Sequence, residues 1–404
     1  MGIFTRAYTV SMKLIILVLA ITFIPGIPPD MEFESYSLSP PVPLEGALAL
    51  NDHLNSAEKL FMNEVKGPEH MEVYNGTLYT TIEGGYVVKI VGEKIVPVVK
   101  FGQKCDGIHE PEICGRPLGL SFDGNQNMYV ADAYYGIFKV NLSSGEYEQL
   151  VSMKTSIDGK FPKLPNSLTV AKDGAVYWSD SSTSHSLHDG LYAALGNGNG
   201  RLIKYDPKTK SNTVLVDKLH FANGVALSQD ESFILVSDLF RGRILRHYLK
   251  GPKKGQTDVF FYGLPGLPDN MHSDLHGHFI VTLPIENDIE NPAITSILGP
   301  YPVLRKFLAR FLYLMEMPSL LMNEYYPTYL SKIYAHWVGS FGMIPLITNK
   351  RTTVIVFNEK GDAISSLHST DGRISSITDI ASLEGYYYLG SYTNPYLARV
   401  KMRE

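Results

Sequence analysis

Gly67-Pro68-Glu69-His70-Met71-Glu72-Val73 decides how this chain is read, because variants of the phrase return along it, each ahead of a run of β-forming residues. The further copies are Gly115-Arg116-Pro117-Leu118-Gly119-Leu120, Leu164-Pro165-Asn166-Ser167-Leu168, Ala222-Asn223-Gly224-Val225-Ala226, Leu267-Pro268-Asp269-Asn270-Met271 and a degenerate Ile374-Ser375-Ser376-Ile377. A turn and a second strand pattern follow most copies, as in Asn75-Gly76-Thr77-Leu78-Tyr79. A third often ends the unit, as in Arg201-Leu202-Ile203-Lys204-Tyr205. From Glu69 the steps to Arg116, Asn166, Asn223 and Asp269 are 47, 50, 57 and 46 residues, and the last, to Ser376, is 107. Against the ~40–50 residues of a propeller blade, this spacing predicts an all-β, six-bladed β-propeller. It also predicts a helical insertion of one repeat length between blades five and six.

If each phrase opens the innermost strand of its blade, Glu69, Asn166, Asn223, Asp269 and Asn270 meet at the mouth of one central channel. Two carboxylates held this close repel, and a hard cation removes the conflict. An all-oxygen donor set without Cys or His points to calcium. In that register Asp269 is the candidate base or nucleophile, and Arg116 the candidate for steadying an oxyanion. An ion that only pins the blades together is the plainer alternative.

With 44% hydrophobic residues, 25 tyrosines and a formal charge of −5, the 404-residue chain can bury a large core. It carries no basic stretch that would suggest nucleic acid. Arg6 and Lys13 precede an apolar run of 11 residues, Leu14 to Ile24, with no small-residue cleavage pattern after it. We expect residues 1–30 to be a signal anchor or transmembrane segment, single-pass and type II, with the rest lumenal or extracellular. Secretion after signal cleavage is the alternative. Asn75-Gly76-Thr77 and Asn141-Leu142-Ser143 are glycosylation acceptors, in keeping with that side of the membrane. Cys105 and Cys114, nine residues apart on a Gly- and Pro-containing loop, are either a disulfide in an oxidising compartment or two thiols in a reducing one. Residues 31–60 read as a stalk and propeller entry, beside the first blade or completing the last, and 61–404 as the propeller. Within the insertion, 286–349, Tyr301, Leu304, Leu308, Phe311, Leu312 and Met315 recur at helical spacing. The segment over 300–338 is expected either to cover the channel or to lie on a membrane.

Gly67-Pro68-Glu69, Cys114-Gly115-Arg116-Pro117-Leu118-Gly119, Tyr177-Trp178-Ser179-Asp180, Phe221-Ala222-Asn223-Gly224-Val225 and Leu267-Pro268-Asp269-Asn270 together resemble the strictosidine synthase-like family. The resemblance is nearest to its adipocyte plasma membrane-associated protein and haemomucin group, and reaches more distantly to the paraoxonase and gluconolactonase hydrolases. It implies a six-bladed propeller, an amino-terminal anchor and a Cys105–Cys114 disulfide. It further implies that Glu69, Asn166, Asn223, Asp269 and Asn270 match the deep calcium ligands of the hydrolase branch. Two departures stand out. The residues following the deep glutamate and first deep asparagine are His70 and Ser167, not the aspartates of a second calcium site. Leu118 stands where paraoxonases have a base histidine. The functions implied are a calcium-dependent arylesterase or lactonase acting on a small ester, or a non-catalytic glycosylated receptor or adhesion protein. The condensation of the plant synthases ranks last.

Overall fold

Each of the first five phrases runs into the first strand of a four-stranded antiparallel sheet in the computed structural model, which describes residues 3–107, 109–274, 276–343 and 350–403. These inner strands are β1 (Met71–Tyr74), β2 (Pro117–Phe122), β3 (Pro165–Val170), β4 (Ala222–Leu227) and β5 (Met271–Ser273). The sixth, β6 (Asp379–Leu383), starts after the degenerate Ile374–Ile377 copy. Six four-stranded sheets and one two-stranded sheet are present among the described residues, so the chain is mostly β.

The inner strands touch in order and return to the first. Arg116 donates to the Gly67 carbonyl (2.9 Å), and Ser181 from the third sheet donates to Ala222 O (2.6 Å). The Gly224 amide donates to Asp269 O (3.2 Å), the Asn270 amide to Thr378 O (3.3 Å), and the Thr378 hydroxyl to Glu69 O (2.9 Å), which completes the circuit. Side chains cannot fit where strands approach this closely. A Cβ on Gly119 would stand 2.6 Å from Asn166 O, and one on Gly224 would stand 2.5 Å from Asp269 O. The glycines of the repeated phrase are therefore packing requirements.

The outermost strand of the sixth sheet comes from the other end of the chain: Glu58–Leu60 pairs antiparallel with Leu397–Lys401, Lys59 opposite Ala398. Residues 31–60 thus run past the fourth and fifth sheets to complete the last one, bonding through Val42 N to Gly263 O and Leu54 N to His368 O.

The insertion is not where the spacing put it. Phe279–Leu283 and Thr352–Phe357 are neighbours in one sheet, Leu283 opposite Thr353, so the extra segment lies inside the fifth sheet and not between the fifth and sixth. Its described part holds helices α2 (Pro302–Tyr325) and α3 (Tyr329–Gly339); residues 344–349, the end of the expected 286–349 segment, lie outside the described residues, as do Met1, Gly2 and Glu404. A second-to-third-strand connection emerges at the end where the inner strands begin. The third sheet carries its own long connection there, Ser181 to Asn199, with a short helix over Gly190–Leu195. Both additions therefore stand over one end of the ring.

The amino-terminal helix α1 (Ile3–Phe23) has 21 residues, longer than the 11-residue apolar run because it takes in Ile3 to Lys13 as well. At 1.5 Å per residue it is about 31 Å long, the thickness of a bilayer's hydrocarbon core.

Gly224→Ala is expected to cost about 1–3 kcal/mol, because two backbones must separate to admit one methyl group. Thermal unfolding of the variant beside wild type checks this: an unchanged midpoint would mean the strands tolerate wider spacing.

Candidate functional site

The inner strands are not regular where they begin. Register shifts interrupt β2 between Pro117 and Gly119, β3 between Pro165 and Leu168, and β4 between Ala222 and Val225. A bulge sets two residues against one and re-aims their side chains. Opposite the doubled residues stands a hydroxyl in four sheets: Thr81, Ser179, Ser237 and Thr282. Thr81 Oγ1 accepts from His70 N (3.1 Å), Ser179 Oγ accepts from Ser167 N (2.9 Å), and Ser237 Oγ donates to Asp269 O (2.9 Å). Asp180 and Asp238, one residue further on, take the backbone N–H groups of Leu164 (3.1 Å) and His220 (2.6 Å) and are paired with Arg201 and Arg243. Strand ends are thus held from behind by buried polar groups, leaving the side chains of the phrase free to converge.

They converge on a cavity of about 80 Å³, room for roughly half a dozen waters. Glu69, Asn166, Asn223, Asp269, Ser376 and Thr378 form its polar part. Leu118, Phe221, Leu239, Phe240, Ile285, Tyr392 and Phe341, the last from just beyond α3, form apolar walls. Asn270 is tied to the same floor, donating to Glu69 Oε1 (2.8 Å), and Asn223 donates to Asp269 Oδ1 (2.6 Å). All five oxygen-bearing residues singled out in the sequence therefore lie together, drawn from inner strands more than 200 residues apart.

Their hydrogen bonding is incomplete. Glu69 Oε2, Asn166 Oδ1, Asn223 Oδ1 and Asn270 Oδ1 are buried and have no partner among the described residues. Each such acceptor costs about 1–3 kcal/mol unless something occupies it. Burial, then the negative charge of Asp379, pushes the Asp269 carboxyl up to about 8. Burial and the charge of Asp269 raise Glu69 well above the usual carboxylate range, and Arg116 opposes this only in part. Orphaned oxygens, crowded acids and the absence of sulfur or imidazole from the cavity lining are the chemistry of a hard divalent cation's donor set.

Arg116 stands apart from the cavity wall. Its guanidinium donates to Gly67 O (2.9 Å) and Tyr392 O (3.3 Å) and lies over the Tyr392 ring, 4.9 Å from the centroid. Leu118 is in the wall itself. Cys105 and Cys114 are bonded, Cα atoms 5.4 Å apart, and their loop reaches the insertion through Glu110, paired with Lys332 at 2.5 Å. Asn75, in a turn, and Asn141, at the end of a strand, are exposed at the opposite end of the sheets, and Gln126 links their neighbours, its N donating to Tyr74 Oη (3.1 Å) and its O accepting from Leu142 N (3.0 Å). The hydroxyl row and the contribution of Phe341 were not anticipated. A recurring Ser-Asp at the ends of second strands, Ser179-Asp180 and Ser237-Asp238, was the available sign of the former.

Two family models match the chain, strictosidine synthase over residues 166–252 and strictosidine synthase-like, N-terminal, over residues 46–90. It is 41% identical to the Drosophila melanogaster adipocyte plasma membrane-associated protein Hemomucin, over 99% of this chain and 70% of that one. It is 32% identical to the Homo sapiens adipocyte plasma membrane-associated protein, over 91% of this chain and 83% of that one. The chain belongs to the adipocyte plasma membrane-associated protein family. Among solved structures, a gluconolactonase from Xanthomonas campestris superposes with a TM-score of 0.53 at 14% identity, covering 93% of this chain and 99% of that one. A luciferin-regenerating enzyme gives a TM-score of 0.50 at 13% identity over 85% and 92%. These likenesses show a propeller-type fold for this chain.

A pH dependence follows from the raised carboxyls. An acid whose folded pKa lies above its unfolded value stabilises the fold at low pH and loses that contribution as pH rises through the folded value. In chelator, the melting temperature is expected to fall from pH 5 to pH 8, the window set by Asp269, and added calcium to restore it most at pH 8. Equal midpoints across that range in chelator would contradict the arrangement.

Proposed function

We propose that this chain is a membrane-anchored, six-bladed propeller that hydrolyses esters or lactones bearing apolar groups, with calcium held at the hub. The reading rests on one observation: orphaned oxygens of Glu69, Asn166 and Asn223 at the floor of a cavity whose walls are hydrocarbon, with that of Asn270 on the residue bonded to Glu69. Glu69, Asn166, Asn223, Asp269 and Asn270 would hold the ion, which when bound supplies Lewis-acid polarisation of a carbonyl or phosphoryl oxygen. Asp269 accepts the proton of attacking water, or attacks as nucleophile, from an Oδ facing the cavity. Arg116, held through Nη2 by the Gly67 and Tyr392 carbonyls, steadies developing negative charge through its field. The apolar walls receive the acyl or alkyl part and exclude water. Phe341, packed on Phe221 with ring centroids 5.3 Å apart, makes the insertion part of the cavity wall.

The anchor reading is type II, with the propeller lumenal or extracellular. It is supported by α1, whose Arg6–Phe23 window is almost wholly exposed and apolar enough to span a bilayer. The helix joins α2 directly: Arg310 donates to Thr22 O and to Ile27 O (2.9 Å), and Lys306 lies over the Phe23 ring. Beside that junction α2 and α3 expose Leu304, Phe311, Met322, Tyr329, Leu330 and Trp337, which water would not favour. We propose that this face lies in the bilayer surface, with the cavity end toward lipid and both glycosylation acceptors away from it.

Purified full-length protein in detergent is expected to hydrolyse phenyl acetate, to lose this in chelator, and to lose about a hundredfold in Asp269→Asn. No chelator-sensitive turnover on an ester panel, together with retained binding of the same esters by Asp269→Asn, would favour the receptor reading. The chain has two tryptophans, Trp178 fully buried and Trp337 40% exposed. Bilayers of brominated lipid should therefore quench its fluorescence, and Trp337→Phe should abolish the quenching. An unquenched wild type would remove α3 from the membrane.

A further inference from the structure

On the strand side of the cavity floor, the residues adjacent to Glu69 and Asn270 build a second group of ligands. His70 stands just before β1, His272 lies in β5 and Asp379 begins β6. His272 Nε2 is 2.6 Å from Asp379 Oδ1, and His70 Nδ1 is 3.8 Å from Asp379 Oδ2, beyond hydrogen-bond range. The two rings have centroids 5.0 Å apart, and one ligand atom from each of the three residues lies within 4.8 Å of the others. Asp379 has no exposed surface and His70 is 3% exposed. The His70 Nδ1 atom is buried and has no hydrogen-bond partner among the described residues, although it faces a carboxylate.

We infer that His70, His272 and Asp379 form a binding site for a first-row divalent metal of the zinc type, separate from the oxygen cluster beside it. Two imidazole nitrogens and one carboxylate oxygen are a donor set that zinc takes with a fourth position left open. Bonds of roughly 2.1 Å in a tetrahedron place ligand atoms roughly 3.4 Å apart. The present separations bracket that value, 2.6 Å from His272 Nε2 and 3.8 Å from His70 Nδ1 to the Asp379 oxygens. Asp379 is already oriented, its Oδ2 accepting from the Met71 amide at 2.5 Å, which leaves lone pairs on both oxygens for further partners. Glu72, two residues beyond His70, interacts electrostatically with both His272 and Asp379 from outside the group of three. The neighbouring cluster of Glu69, Asn166, Asn223, Asp269 and Asn270 offers oxygen alone, so the two sites select different metals. The inference does not depend on the hydrolase reading, because no turnover enters its test.

Full-length protein in detergent is stripped with chelator, saturated with calcium, and titrated with zinc against a chromophoric competitor. One zinc per chain is expected, and zinc affinity is expected to fall at least tenfold in His70→Gln and in His272→Gln. Calcium-dependent thermal stabilisation is expected to persist in both variants, which also shows that they fold. Cobalt in place of zinc should give the visible ligand-field bands of a tetrahedral nitrogen and oxygen site, absent from His272→Gln. Three results would each overturn the inference: no stoichiometric zinc, zinc displaced by excess calcium, or zinc bound equally by wild type and both variants.

Discussion

Glu69 and Asp269 are forced together by the convergence of strands, in surroundings that shield neither from the other. Every other feature of the hub is an accommodation to that fact. Asn270 and Asn223 each turn their amide nitrogens to one acid and leave their carbonyl oxygens unanswered. Arg116 is near enough to lower Glu69 yet spends its hydrogen bonds on Gly67 and Tyr392. Such an arrangement is costly to a fold built for stability alone. It is comprehensible under the proposal that these oxygens hold a cation.

The repeat was legible because close strand approach leaves a mark in sequence: Gly119 and Gly224 are needed wherever a neighbouring backbone fills the space of a Cβ. The converging oxygens were legible for the same reason, since each sits at a fixed offset from that mark. What the sequence did not disclose was anything lacking such a mark. A step of 107 residues between Asp269 and Ser376 reveals that something was added but not which connection received it. Thr352–Phe357 carries no phrase to identify it as the third strand of the fifth sheet. Asp379 carries no such mark, because it begins the sixth inner strand beyond the end of the degenerate phrase at Ile377. The length of α1 was hidden by Arg6 and Lys13, which interrupt its hydropathy without interrupting its helix.

The two additions to the repeat cooperate. The insertion carries Phe341 into the cavity while its outer face gathers exposed aromatic and aliphatic side chains. The loop closed by Cys105 and Cys114 holds α3 through Glu110 and Lys332. One element thus borders both the hub and the face nearest α1. Under the proposed bilayer placement, an apolar molecule partitioned into lipid would meet the cavity without crossing bulk water, which accords with walls of Leu, Ile, Phe and Tyr above a polar floor.

The pairing of Glu58–Leu60 with Leu397–Lys401 bears on how the molecule is made. The first of these strands leaves the ribosome long before its partner exists, and throughout synthesis it waits as an unpaired edge. Only when the final strand arrives does the circle shut, bringing Thr378 against Glu69 and Asn270. The clasp therefore makes closure of the circle depend on one contact between segments far apart in the chain, Glu58 meeting Arg399 across 341 positions.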